Sequence, residues 1–152
     1  MLSDIYDCNV FHVDDFFLRP EQRTKERLAE VGGNFERERF YQDVLLPLSQ
    51  GNTVQYRKFD CSKFKLSDEI ITVLPQKMTV IEGSYSMHKD IANHYDLCVF
   101  LDISQELQVQ SINKRNSKEM AERFFNEWIP LENTYFEKMQ VKERCDIVLE
   151  IG

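Results

Sequence analysis

The sequence predicts an α/β fold built on a parallel sheet with helices on both faces, and three observations predict it. Four short apolar runs, rich in β-branched and aromatic residues, show no clean alternation with polar ones. Such runs suit strands covered on both faces. Stretches with helical spacing lie between them. In the middle, two strand-like runs flank a polar turn, the pattern of an antiparallel hairpin. The resulting order is strand, helices, hairpin, strand, helix, strand, helices, strand, which is that of a doubly wound domain with a hairpin excursion.

The elements follow in chain order. "CNVFHV" (Cys8–Val13) is the first strand and runs into two carboxylates and two aromatics, "DDFF". "FERERFYQDVLLPL" (Phe35–Leu48) repeats apolar positions at helical spacing and stops at "SQG". "TVQYRKFD" (Thr53–Asp60) and "EIITVLP" (Glu69–Pro75) form the hairpin around a polar turn at Ser62–Asp68. "MTVIEG" (Met78–Gly83) and "DLCVFLDI" (Asp96–Ile103) are the next two strands. Ser104 is placed to cap "SQELQVQSINKR", with Glu106 in its first turn. Phe124, Trp128, Leu131, Tyr135 and Met139 step along one face of a long helix, which Pro130 is expected to kink. "CDIVLEI" (Cys145–Ile151) is the last strand.

A chain of 152 residues suits one domain, spanning 1–152, with a real core. Its net charge of −7 argues against nucleic acid as a main partner, since a polyanion binder is usually basic. It does not exclude a small anionic ligand held by a local cluster of Arg. Cys8, Cys61, Cys98 and Cys145 are far apart, and the expectation is reduced thiols, mostly buried. His12, His88 and His94 do not form a metal-ligand spacing. No apolar run approaches the ~18 residues of a membrane span, and "MLSDIYDCNV" lacks the pattern of a signal peptide. No membrane partner is expected, and the cytoplasm is the default location.

In an open α/β sheet, ligands bind at the carboxyl ends of the strands. Two strands here end in acids: the first at Asp14 and Asp15, and "MTVIEG" at Glu82 followed by Gly83. A carboxylate just past a buried strand can hold Mg²⁺ through water or accept a proton from a substrate hydroxyl. The same residues also suit a helix cap, in the case of Asp14 and Asp15, and a solvated strand end, in the case of Glu82. Gly83 suggests a close backbone approach or a positive φ.

Four motifs in this order, "HVDDFFLRP", "VIEGSYSMH", "YDLCVFLDIS" and "NEWIPLENTYF", resemble the uridine kinase family of P-loop nucleoside kinases, in its small bacterial branch. "DDFF" and "EG" are also similar to nicotinamide riboside kinases. The resemblance covers essentially the whole chain and implies a three-layer P-loop kinase fold, with ATP and Mg²⁺ as cofactors and a nucleoside-like small molecule as acceptor. Asp14 matches the family's general base near the metal. Asp15 stands where uridine kinases often carry Ser. Glu82 matches the acid of the "EG" motif, near Mg²⁺ and substrate. Phe35 and Glu36 fall where the family places an aromatic and an acid beside the nucleoside. Tyr56, Tyr85 and His88 fall where it shapes the acceptor pocket. For each aromatic, packing is as good an explanation as ligand contact. Arg115 and Arg123 flank "NSKEMAE", where the family's mobile lid carries arginines to the phosphoryl group; the family's lid is denser in Arg.

P-loop kinases use G-x-x-x-x-G-K-[ST] after the first strand. None of the five glycines, Gly32, Gly33, Gly51, Gly83 and Gly152, belongs to such a pattern. Against the family, "MLSDIYD" falls at the end of the helix that follows the loop, so the central first strand and the loop are expected to be missing. An unpaired edge and an exposed apolar face should result, covered by a partner or, in a homo-oligomer, by a second copy. Two functions remain open: a nucleoside-type kinase seen through an incomplete chain, and a non-catalytic binding or regulatory remnant. A metal-dependent hydrolase using Asp14, Asp15 and Glu82 has little support, because no partner His or further carboxylate cluster accompanies them.

Overall fold

The structure, a computed structural model, describes residues 5–152. The expectation of a helix end at "MLSDIYD" falls partly outside the described residues; Ile5 to Asp7 form a turn and bends, not a helix. The chain divides into two compact units, Met1–His94 and Tyr95–Gly152. The expected α/β class is present, with parallel strand pairs, helices and an antiparallel excursion.

In the first unit, β1 (Cys8–His12) leads through a 3-10 turn to α1 (Lys25–Ala29). Thr24 caps α1 by accepting from the Arg27 N–H. The "VGGNF" loop folds back against the end of α1 so closely that a Cβ on Gly33 would lie 1.9 Å from the Arg27 carbonyl. Arg27 holds the loop through Gly33 O and Phe35 O and forms two bonds to Glu38. The predicted helix over Phe35–Leu48 is a run of α2 (Arg37–Phe40), a π turn (Tyr41–Leu45) and α3 (Leu46–Ser49). Its π turn has a cause in the sequence. Leu46 N–H bonds back to Tyr41 O, and Pro47 follows at once. Proline has no N–H, and its ring collides with the carbonyl four residues back; a widened turn moves that carbonyl aside.

The hairpin is nested. β2 (Val54–Tyr56) pairs antiparallel with β5 (Ile71–Val73), and β3 (Phe59–Asp60) with β4 (Lys65–Leu66). Both pairs are separate from the parallel ladder of β1 with β6 (Met78–Glu82), whose register sets His12 opposite Glu82. The core of this unit is aromatic. Tyr56 stacks on Phe16 with ring centroids 5.2 Å apart, and Phe16 meets Phe40 edge-on at 5.0 Å.

In the second unit, β7 (Val99–Ile103) pairs in parallel with β8 (Ile147–Ile151). Between them lie α4 (Gln105–Arg115), α5 (Lys118–Arg123), a π turn (Phe124–Trp128), α6 (Ile129–Lys138) and α7 (Val141–Arg144). Ser104 caps α4, as its position predicts. Where the sequence predicts a kink at Pro130, a second π turn stands, with Ile129 N–H bonded to Phe124 O and Pro130 next. The wider turn rotates everything after it. Tyr135 stays buried with the half-buried Phe136 ring beside it, while Leu131, on the predicted face, is 56% exposed. Burial on both faces, expected of every strand, does not hold for β7 and β8: Leu101 is 58% and Leu149 49% exposed. Each ladder has only two strands, so each strand is paired on one edge. The four cysteines are free; Cys61 is exposed and the other three half-buried, less sheltered than their apolar surroundings suggest.

Candidate acceptor site

The two acid motifs arrive at the same end of one ladder. β1 stops at His12, and in the 3-10 turn that follows, Val13 and Phe16 are buried while Asp14 is exposed. The apolar pair anchors the turn and leaves the carboxylate outward. Beside it, β6 ends at Glu82, and Gly83 has φ +131°. A Cβ on Gly83 would lie 3.1 Å from Val13 Cβ and 3.6 Å from Asp14 Oδ1. The glycine therefore lets the end of β6 pass against the acidic turn, which is the close approach that its position in "EG" suggests. His12 Nδ1 contacts Glu82 Oε1.

Asp15 faces the hairpin. Lys58 Nζ lies 3.1 Å from its Oδ2, the Tyr56 hydroxyl donates to the same oxygen at 3.5 Å, and its carbonyl accepts from Arg39 Nη2. Burial, then the Asp15 charge, pushes the Tyr56 phenol up to about 12, so it stays protonated and donates. Tyr56 is 6% exposed and wedged between Phe11 and Phe16. Tyr56→Ala should cost about 3–5 kcal/mol of stability. Tyr56→Phe keeps the packing, so unfolding should change by less than about 1.5 kcal/mol. If the hydroxyl serves the acceptor, calorimetry should still show weaker acceptor binding in Tyr56→Phe.

Glu36 is 1% exposed, with both oxygens occupied. Arg19 donates to Oε1 from Nε and Nη2, and Arg39 donates to Oε2 at 2.7 Å. Arg39 also binds Arg57 O and lies 4.3 Å over the Phe16 ring. Glu36 thus ties the acidic turn, the following helix and the hairpin together through the two arginines. Phe35 and His88 are buried with rings 6.4 Å apart, and Tyr85 is buried nearby in sequence. His88 Nδ1 accepts from the Asp90 N–H, which leaves the ring proton on Nε2. Burial, then Arg37, pushes its pKa down. A base whose folded pKa is depressed favours the unfolded state as pH falls below the unfolded value of about 6.5. The melting temperature should therefore fall between about pH 7 and pH 5.5. In His88→Gln, thermal scans should show a smaller drop over the same range.

In the second unit, Arg115 and Arg123 are exposed at the ends of α4 and α5. Arg115 lies over the Phe124 ring at 5.7 Å, and Arg123 over Trp128 at 5.0 Å with Glu127 3.3 Å from its Nη2. Sequence reasoning did not single out Lys58, Arg39, His12 or Cys61. Lys58 could have been found, two residues beyond Tyr56 in the same extended run. Cys61 shows itself only through its surroundings: burial, then Asp14, Asp60 and Asp15, push its thiol up.

Among the described residues, no group of three or more His, Cys, Asp or Glu is arranged to hold a metal. Mg²⁺ commonly takes only one or two carboxylates and completes its shell with phosphate and water, so a pair such as Asp14 and Glu82 would be enough to hold it. Among the described residues, Gly32, Gly51 and Gly83 do not form a glycine-rich phosphate loop. Gly83, with positive φ, sits against a carboxylate, Gly51 stands in an open turn, and Gly32 belongs to the loop that Arg27 holds. No helix among the described residues is long and apolar enough to cross a membrane.

Parallel strand pairs flanked by helices, with an antiparallel hairpin beside them, make an α/β protein of the three-layer kinase-like class. The phosphoribulokinase / uridine kinase family matches residues 20–126, and the chain belongs to it. Glu82, Arg115 and Arg123 lie inside that match; Asp14 and Asp15 precede it. A Bacillus stearothermophilus protein described as a possible uridine kinase is similar in fold, with a TM-score of 0.66 and 20% identity over 93% of this chain and 71% of that one. A candidate fructose transport system kinase from Silicibacter sp. TM1040 gives a TM-score of 0.69 and 17% identity, over 97% of this chain and 77% of that one. No curated protein sequence matches the chain.

Proposed function

We propose that the chain carries the acceptor half of a small-molecule kinase, for phosphoryl transfer to a hydroxyl of a nucleoside or similar small alcohol. The observation that carries this reading is the arrival of Asp14 and Glu82 at the same end of two neighbouring parallel strands, with Gly83 beside the Asp14 turn. Asp14, exposed and outward, takes the proton from the acceptor hydroxyl. Glu82 orients the acceptor and, with Asp14, would hold Mg²⁺, which would supply charge neutralisation for phosphoryl transfer. Asp15, held by Lys58 and Tyr56, offers a hydrogen-bond acceptor toward the hairpin wall. By family resemblance, the buried Phe35, Tyr85 and His88 shape the acceptor pocket, and Glu36 supports it through Arg19 and Arg39. By family resemblance, Arg115 and Arg123 serve as lid cations.

The test is calorimetric binding of a panel of uridine, cytidine, nicotinamide riboside and simple polyols to the 152-residue chain. Saturable binding of one of them, lost in Asp14→Asn with Glu82→Gln, is expected. A chain that binds one acceptor but stays inactive when supplied with a family-type strand and loop would be a binding or regulatory protein. Binding of none would remove the acceptor reading.

A further inference from the structure

His12 and Glu82 are register partners in the β1–β6 ladder, so their side chains leave the sheet side by side. Nδ1 of the imidazole contacts Oε1 of the carboxylate. An ionised carboxylate only accepts, so the ring donates from Nδ1 and carries its proton there. Oε2 of Glu82 has no partner among the described residues. The pair stands at the acidic strand ends, His12 38% and Glu82 54% exposed in the side chain. A polar pair this open contributes little to folding. A glutamate in such a place, without a partner, would move among several rotamers. Here the main chain after Glu82 runs close against Val13, with no room for a side chain at Gly83, and the carboxylate is held by the imidazole.

We propose that His12 is a positioning residue, which holds the Glu82 carboxylate in one rotamer with Oε2 available to the acceptor site. Its role is that of an outer-shell partner, which orients a ligand group without touching the ligand. The proposal rests on the reading of Glu82 as a site carboxylate, and its geometric part can be tested without that reading. No change in protonation is involved; the neutral ring with Nδ1–H is sufficient.

The experiment uses the full chain, labelled with ¹³C and ¹⁵N, as wild type, His12→Asn and His12→Leu. The Asn amide places an N–H near the position of Nδ1, whereas Leu removes the donor and keeps the bulk. Side-chain couplings should show one Glu82 rotamer in wild type and His12→Asn, and averaging in His12→Leu. Mn²⁺, standing in for Mg²⁺, is then titrated by the broadening of signals near the strand ends. His12→Leu should weaken Mn²⁺ binding about 10-fold, with His12→Asn within about threefold of wild type. On a Glu82→Gln background, His12→Leu should add nothing. A purely structural His12 would instead lower the melting temperature in both variants and leave the order of Mn²⁺ affinities unchanged. Averaged Glu82 rotamers in wild type, or an Asn variant no better than Leu, would overturn the proposal. If wild type binds no Mn²⁺, the functional reading of Glu82 fails, and the rotamer result alone decides whether His12 positions it.

Discussion

Titration of ATP·Mg²⁺ into the 152-residue chain is expected to give no saturable heat at micromolar concentration, and a nucleoside panel is expected to show no turnover. Micromolar binding needs about 8 kcal/mol of net favourable interaction. A triphosphate brought to the ends of β1 and β6 meets Asp14, Asp15 and Glu82, whose charges oppose it. Repulsion of this kind is ordinarily offset by the backbone N–H groups of a glycine loop and its lysine, a pattern that these residues do not contain. Arg115 and Arg123 are placed over Phe124 and Trp128, so drawing them onto a phosphate also costs their ring contacts. Adding a family-type strand and loop before Met1 should restore both the heat and the turnover. Micromolar ATP binding by the unextended chain would show that other groups in it cradle phosphate.

In that extended protein, Asp14→Asn should lower kcat by ~10²–10⁴-fold, the usual loss on removing a general base. Asparagine has nearly the same shape, and the buried anchors Val13 and Phe16 hold the turn whether or not position 14 is charged. A fall in kcat with an unchanged melting temperature therefore reports chemistry. A KM effect alone would assign Asp14 to binding, and a normal kcat would remove it from the reaction.

The strand ends were legible in the sequence because an apolar run that stops at an acid has one place to put it, outside the sheet. Asp14 and Glu82 could be read in that way, and so could Gly83, whose lack of a side chain is what the close strand approach needs. Glu36 was legible only as an acid at a family position. Its burial depends on Arg19 and Arg39, and nothing local shows that Arg19 reaches it from seventeen residues away. His12 reads in the sequence as one more residue of a buried strand, and its contact with Glu82 depends on a register between strands about seventy positions apart. The exposure of β7 and β8 was not legible, because composition tells which strands need cover and not which neighbours supply it. The helical faces were read at 3.6 residues per turn, which is right until a proline widens a turn.

Those two π turns bear on how this chain should be aligned with its relatives. A π turn holds one more residue than the α turn it replaces, so it is the structural form of a single-residue insertion inside a helix. Each insertion here is followed directly by its proline, Pro47 in one case and Pro130 in the other. Relatives without a proline at either place are expected to be one residue shorter there and continuously α-helical. Gaps should therefore be placed at Tyr41–Leu45 and Phe124–Trp128 rather than in the neighbouring loops. An alignment that moves them to the loops would shift every later helical position by about 100° around the axis and match solvent-facing residues with buried ones.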